Sequence, residues 1–173
     1  GRGLSAPACF VATENQPSCQ VFSFPSRSRS RGTVSIISSD PGVAPRIRPN
    51  YLSDPYDREV TVAAYRFTVD WMRQPAIARL VARERDPLLQ IRNDDEIIDL
   101  YKRQGSSTFH SCGTCRMGSS PDAVVDARLH VRGVYGLRVV DASIMPTMPS
   151  SNTNGPCLAI GWRGGEIIRE GNQ

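Results

Sequence analysis

"GLRVVDASIMPTMPSSNTNGPCLAI", residues 136–160, changes character twice over a short span. Its first third is rich in branched apolar residues and reads as a strand. Pro146 and Pro149 then break regular structure, since each lacks an amide donor and restricts the residue before it. Asn152 and Asn154 follow a Pro-Ser-Ser run and precede an apolar stretch, the place where asparagine caps a helix. "NTNGP" would also present backbone amides at a helix start, which can hold an electron-rich ligand atom. Beyond it, "CLAIGWRGGEII" (157–168) reads as a helix. Gly164 and Gly165 lie inside that helix and cost about 1 kcal/mol each relative to alanine, so an irregular segment is expected there. Upstream, "VVDARLHVRGVYGLRVVDAS" (124–143) reads as strand, turn and strand, with Gly133 and Gly136 near the turn.

A second informative stretch is "TFHSCGTCRMG", residues 108–118. Cys112 and Cys115 have the C-x-x-C spacing. A structural zinc site needs two further ligands in tetrahedral reach. Only His110, His130 and Cys157 could join, and no second closely spaced pair exists, so no metal is expected. A redox dithiol wants the pair at the start of a helix after a strand. Here the pair runs into "RMGSSPD", which is loop. The cysteines read as pocket or packing residues. From its surroundings alone, His110 is open between a structural and a chemical role. His130 alternates with Leu129 and Val131 in an apparent strand and reads as solvent-facing or packing.

The remainder is punctuated by many of the chain's 13 prolines. "CQVFSF" (19–24) and "GTVSIIS" (32–38) read as short strands, and 38–55 reads as a chain of turns. From Asp57 the period becomes helical, with Val60, Ala63 or Ala64, Phe67 and Trp71 on one face. Pro75 opens a further helix, "PAIARLVARE". "DDEIIDLYKRQ" (94–104) follows a cap at Asn93 or Asp94. Five cysteines leave one over from any intramolecular pairing, with Cys9 and Cys19 able to bridge an N-terminal loop. No apolar run is long enough to span a membrane. The net charge is a modest +4. Arg27, Arg29 and Arg31 alternate in "SRSRSRG" and would share one side of an extended segment. They read as a solvated strand edge. The alternative, a phosphate or nucleic-acid contact, lacks an accompanying aromatic ladder or recognition helix, so nucleic acid is not an expected partner.

Four blocks, taken in order, carry a family resemblance: "SRGTVSIISSDPGVAPRIRPNYL", "FHSCGTCRMG", "GLRVVDASIMP" and "PSSNTNGPCLAI". Together they closely resemble the C-terminal part of the glucose–methanol–choline (GMC) family of FAD-dependent oxidoreductases. The resemblance covers about residues 27–168. The family's other signature, a strand followed by G-x-G-x-x-G that seats the ADP pyrophosphate on a helix N-terminus, does not occur in these residues. The resemblance therefore implies an N-terminal FAD-binding segment or chain of the same enzyme as a partner. It implies a mixed α+β fold, part antiparallel substrate-domain sheet with helices and part return into a Rossmann-like FAD domain. The expected division is a linker over 1–26, substrate-binding domain over 27–107, and active-site loops with the return segment over 108–173.

The resemblance also implies roles. His110 matches the histidine that faces the flavin and takes the alcohol proton, and Asn152 matches the second member of that pair. Asp141, Ala142 and Ser143 match the segment near the ribityl chain and pyrophosphate. Asn154 and Gly155 match the stretch at the pyrimidine end of the isoalloxazine. The implied activity is oxidation of a CH–OH donor, with hydride passing from a substrate alcohol to flavin N5 and His110 as base. The implied substrate is a small or lipid-like molecule. Two departures stand out. Ser111 and Cys112 replace the family's usual Pro-Val or Pro-Ala, which places a thiol in the substrate pocket. Trp162, Arg163, Gly164 and Gly165 replace a Glu-Lys-Ala-Ala run. The same scaffold carries a cyanohydrin lyase and a fatty-acid photodecarboxylase, which stay as alternatives, together with a non-catalytic binding module.

Overall fold

The structure, a computed structural model, describes residues 21–83, 91, 93–150 and 152–171 of the 173. The possible Cys9–Cys19 bridge lies outside them. The chain divides into two compact units, Gly1–Pro25 with Tyr51–Ser107, and Ser26–Asn50 with Thr108–Gln173. Residues 26–50 thus group with the histidine-containing loop and not with the helices that follow them in sequence.

The first unit is helical. Helix α1 (Pro55–Met72) starts where the Asp54 carboxylate accepts the Tyr56 N–H at 2.9 Å and Pro55 supplies a preset first turn. Helix α2 (Pro75–Ala78) is a single turn, so the helix expected from Pro75 stops well short of residue 84. Helix α3 (Asp94–Gln104) takes Asn93 as its cap, the side chain accepting the Asp95 N–H at 2.8 Å. Three acidic residues in its first turn, and Lys102 and Arg103 in its last, complement the helix dipole. The core sets Val62, Tyr65 and Val69 of α1 against Ile97, Ile98 and Leu100 of α3. Arg66 also pairs with Asp94 across the two helices.

The inner face of α1 is therefore not the one its periodicity suggests. Phe67 is 70 % exposed and Trp71 41 % within this chain. Asp57 and Thr61 are buried on the inner face, and their polarity masks it in the sequence. Because α3 is short and packs through one face, its cap matters. Replacing Asn93 with alanine should destabilise this unit by about 1 kcal/mol, the usual worth of a side-chain cap. Denaturant unfolding followed by circular dichroism measures it.

The second unit holds the sheet among the described residues, β1 (Thr33–Ser35) antiparallel to β2 (Arg46–Arg48), with Val34 opposite Ile47. Strand β2 falls between Pro45 and Pro49, in the region read from sequence as turns alone. Residues 21–24, expected as a strand, are irregular. The expected strand–turn–strand over 124–143 is reduced to isolated bridges, Val125 with Val131 and His130 with Arg138. Gly133 and Gly136 do sit at its turns, with φ of +78° and +77°. A short 3-10 turn (Ala142–Ile144) leads on, and helix α4 (Asn154–Gly171) closes the unit.

Helix α4 is unbroken through Gly164 and Gly165, which corrects the expected irregularity. Ile167 packs with Val125, Leu129 and Ile144, and Gly164 is buried against Val140. Tertiary contact at Gly164 and ordinary helix geometry at Gly165 outweigh the weak propensity of both residues. No helix among the described residues is long and apolar enough to cross a membrane.

Candidate functional site

The loop carrying His110 is shaped by its backbone and not by its thiols. The Cys115 N–H donates to the Ser143 carbonyl at 2.9 Å, and the Met117 N–H donates to the Ile144 carbonyl at 2.8 Å. Two further hydrogen bonds join in, with the Gly118 N–H on the Val125 carbonyl and the Val124 N–H on the Arg116 carbonyl. This ladder ties residues 115–118 to the 3-10 turn and to the segment beginning at Val124. Side chains of the C-x-x-C pair take no part in it.

Cys112, Cys115 and Cys157 are free, half-buried thiols. Cys112 Sγ lies 3.7 Å from Met148 Sδ. Burial pushes the Cys112 thiol pKa up, with Arg31 pulling more weakly the other way. The thiol is therefore protonated near neutrality, which suits a pocket wall and not a nucleophile. Among the described residues, no group of three or more His, Cys, Asp or Glu could hold a metal ion.

Immediately before His110, Phe109 has φ of +61°, a left-handed conformation that a bulky residue adopts only at a cost of about 1–2 kcal/mol. The imidazole that follows is half-buried, and its Nδ1 lies 2.8 Å from Thr153 Oγ1. His110 is thereby brought to the segment that carries Asn152, whose own side chain is exposed. The histidine's contact is with the residue next to Asn152. Thr153 is the site residue that sequence reasoning missed, because a hydroxyl between two asparagines gives no sign of what it faces. Met148, 3.7 Å from Cys112, was missed as well, because the two are 36 positions apart and neither stretch signals the other.

Asp141 shapes the 3-10 turn, its carboxylate accepting from the Ser143 N–H at 2.7 Å and from the Ser143 hydroxyl. Ala142 and Ser143 form that turn, and Ile144 anchors it in the core. Asn154 and Gly155 open α4 and are exposed. A Cβ added at Gly155 would meet nothing within 4 Å, so the backbone there is open to close approach by a ligand. These two amides, at the positive end of an 18-residue helix, suit the electron-rich edge of a flavin. The Asp141 carboxylate faces its own turn, so it would serve a nucleotide by holding that turn in shape.

Arg27 reaches Ser150 through Nη2 at 2.6 Å and Nε at 3.1 Å. Arg31 donates to the carbonyls of Ser28 and Ser30. These arginines, with Ser28, Arg29, Thr147 and Met148, line a shallow cavity. The alternating arginines thus belong to the same unit as the His110 loop.

A model of the GMC oxidoreductase family matches residues 28–161. The chain belongs to the GMC oxidoreductase family. Among curated proteins, it is 41 % identical over 140 residues to an alcohol dehydrogenase [acceptor] of Pseudomonas putida, covering 81 % of this chain and 25 % of that protein. It is 41 % identical over 143 residues to an oxygen-dependent choline dehydrogenase of Escherichia coli (strain UTI89 / UPEC), covering 83 % of this chain and 25 % of that protein. Among solved structures, pyridoxine 4-oxidase from Mesorbium loti superposes with a TM-score of 0.69 at 31 % identity, over 84 % of this chain and 28 % of that one. A fungal aryl-alcohol oxidase superposes with a TM-score of 0.71 at 27 % identity, over 86 % of this chain and 25 % of that one. The chain spans about a quarter of the length of the curated relatives it matches. Its mixed α+β fold is consistent with the C-terminal, substrate-binding part of GMC-type flavoenzymes.

Proposed function

We propose that the protein carrying this chain is an FAD-dependent oxidoreductase of CH–OH donors, with His110 as the base and Asn152 as a donor to the same substrate oxygen. The observation that carries this reading is the seating of the His110 ring against the residue next to Asn152. Support also comes from relatives named alcohol dehydrogenase, choline dehydrogenase and aryl-alcohol oxidase.

When bound, FAD supplies the acceptor for the hydride. Asn154 and Gly155 would hold it through backbone amides, and Asp141, Ala142 and Ser143 through the turn they build. His110 binds the substrate hydroxyl and takes its proton, because an imidazole near neutrality is a base of suitable strength within hydrogen-bond reach. The Asn152 amide donates to the oxygen and stabilises its growing negative charge. Cys112 contributes an uncharged wall to the pocket for a small or lipid-like substrate. In this reading residues 27–107 contribute to substrate binding and 108–173 carry the active-site loops. An N-terminal segment or chain with the G-x-G-x-x-G element completes the nucleotide site.

Anaerobic addition of primary alcohols, choline and aryl alcohols among them, to the intact flavin-loaded protein tests this. At least one should bleach the oxidised flavin absorbance. A fully occupied flavin that no alcohol reduces would reject the alcohol chemistry, leaving the lyase, photochemical and binding-module alternatives.

A further inference from the structure

Between exposed Asn152 and exposed Asn154, the chain turns Thr153 inward, leaving it only 8 % exposed. Its backbone is fixed as well, since its carbonyl accepts the Cys157 N–H at 2.9 Å at the start of α4. The hydroxyl is thus carried on a rigid helix start and lies 2.8 Å from His110 Nδ1, although the two residues are 43 positions apart. The Thr153 N–H also points at this nitrogen, but from 3.5 Å, longer than a normal hydrogen bond, so the hydroxyl at 2.8 Å is the nearer partner.

A neutral imidazole has one bare nitrogen and one N–H. For Nε2 to take a proton, the ring proton must reside on Nδ1, and an acceptor must be waiting for it there. We infer that Thr153 is a positioning residue for His110, its hydroxyl oxygen accepting the Nδ1–H and so keeping Nε2 bare toward the substrate. The inference rests on the assignment of His110 as base. After Nε2 takes the substrate's hydroxyl proton, Nδ1 is still a donor and Thr153 Oγ1 still its acceptor. One hydrogen bond therefore serves both protonation states without rearrangement. A buried hydroxyl does this better than water, because it cannot exchange away or turn the ring over.

The test uses the intact flavin-loaded protein. Thr153→Val keeps the branched shape and removes the hydroxyl, and Thr153→Ser retains it. Nitrogen-15 NMR of labelled histidine reads the tautomer directly, with the His110 signals assigned by their loss in His110→Ala. Wild type and Thr153→Ser should hold the ring proton on Nδ1, and Thr153→Val should populate the Nε2–H form. Alcohol-driven flavin reduction should slow roughly 3- to 10-fold in Thr153→Val, the usual worth of one hydrogen bond, and return in Thr153→Ser. The double variant His110→Ala, Thr153→Val should be no slower than His110→Ala alone, since Thr153 acts only through the ring. An unshifted tautomer in folded Thr153→Val, an Nε2–H ring in the wild type, or losses that multiply in the double variant would each overturn the inference. Failure of the underlying assignment looks different, because His110→Ala by itself would then reduce its flavin at the full rate.

Discussion

Replacing His110 with alanine in the intact, flavin-loaded protein should slow alcohol-driven flavin reduction by roughly 10²–10⁴-fold while the flavin stays bound. In barrier terms this is about 3–5 kcal/mol, far more than the loss of one bracing contact explains. The bracing contact is the hydrogen bond to Thr153, and its removal costs about 0.5–1.5 kcal/mol. The far side of the loop does not depend on the ring, because the amides of Cys115 and Met117 hold residues 115–117 to Ser143 and Ile144 through backbone alone. An alanine at 110 should therefore leave the fold and flavin site intact and remove only the proton acceptor. Stopped-flow reduction under anaerobic conditions, normalised to flavin occupancy, measures the effect. A rate equal to wild type at full occupancy would end the assignment of His110 as base, and a lost flavin would make it structural.

The same loop shows what a sequence can and cannot announce. Its cysteines have a spacing that draws notice, yet its work in the fold is done by amides that any residue but proline could supply. The contact that seats His110 joins positions 43 apart, and nothing in the local composition of "SSNTNGP" tells Thr153 from its neighbours. By contrast, the span of α3 was legible, with its cap narrowed to Asn93 or Asp94, because a capping side chain, acids in the first turn and bases in the last are local signals that act locally. Helix α1 was legible as a helix but not in its orientation. Both of its faces carry apolar residues, and the face that turns inward also carries Asp57 and Thr61. Strand β2 was hidden because prolines flank it, and only its pairing with β1 makes it a strand. Four short blocks matched in order were enough to point to the family, whose match runs over residues 28–161.

Helix α4 supplies the clearest contrast between local and tertiary constraint, and it can be tested on adjacent residues. A Cβ built on Gly164 would lie 2.3 Å from Val140 Cγ1 and 3.4 Å from Leu129 Cδ1. A Cβ on Gly165 would meet nothing within 4 Å. The two glycines have the same intrinsic cost in a helix, about 1 kcal/mol against alanine. Their substitutions should nevertheless move stability in opposite directions. Gly165→Ala removes backbone freedom from the unfolded chain and should stabilise by about 0.5–1 kcal/mol. Gly164→Val drives three carbons into a contact already closed by Val140, whose branched side chain has little rotamer freedom with which to retreat. Overpacking of this kind costs about 1–3 kcal/mol, and valine recovers little helix propensity to offset it. The loss should centre on the cluster of Val125, Leu129, Ile144 and Ile167, which α4 closes, and leave the helical unit of α1 and α3 untouched. Denaturant unfolding gives the two signs, and hydrogen exchange locates the change. If Gly164→Val is as stable as wild type, α4 does not approach Val140 this closely, and the glycine pair is then a matter of helix propensity alone.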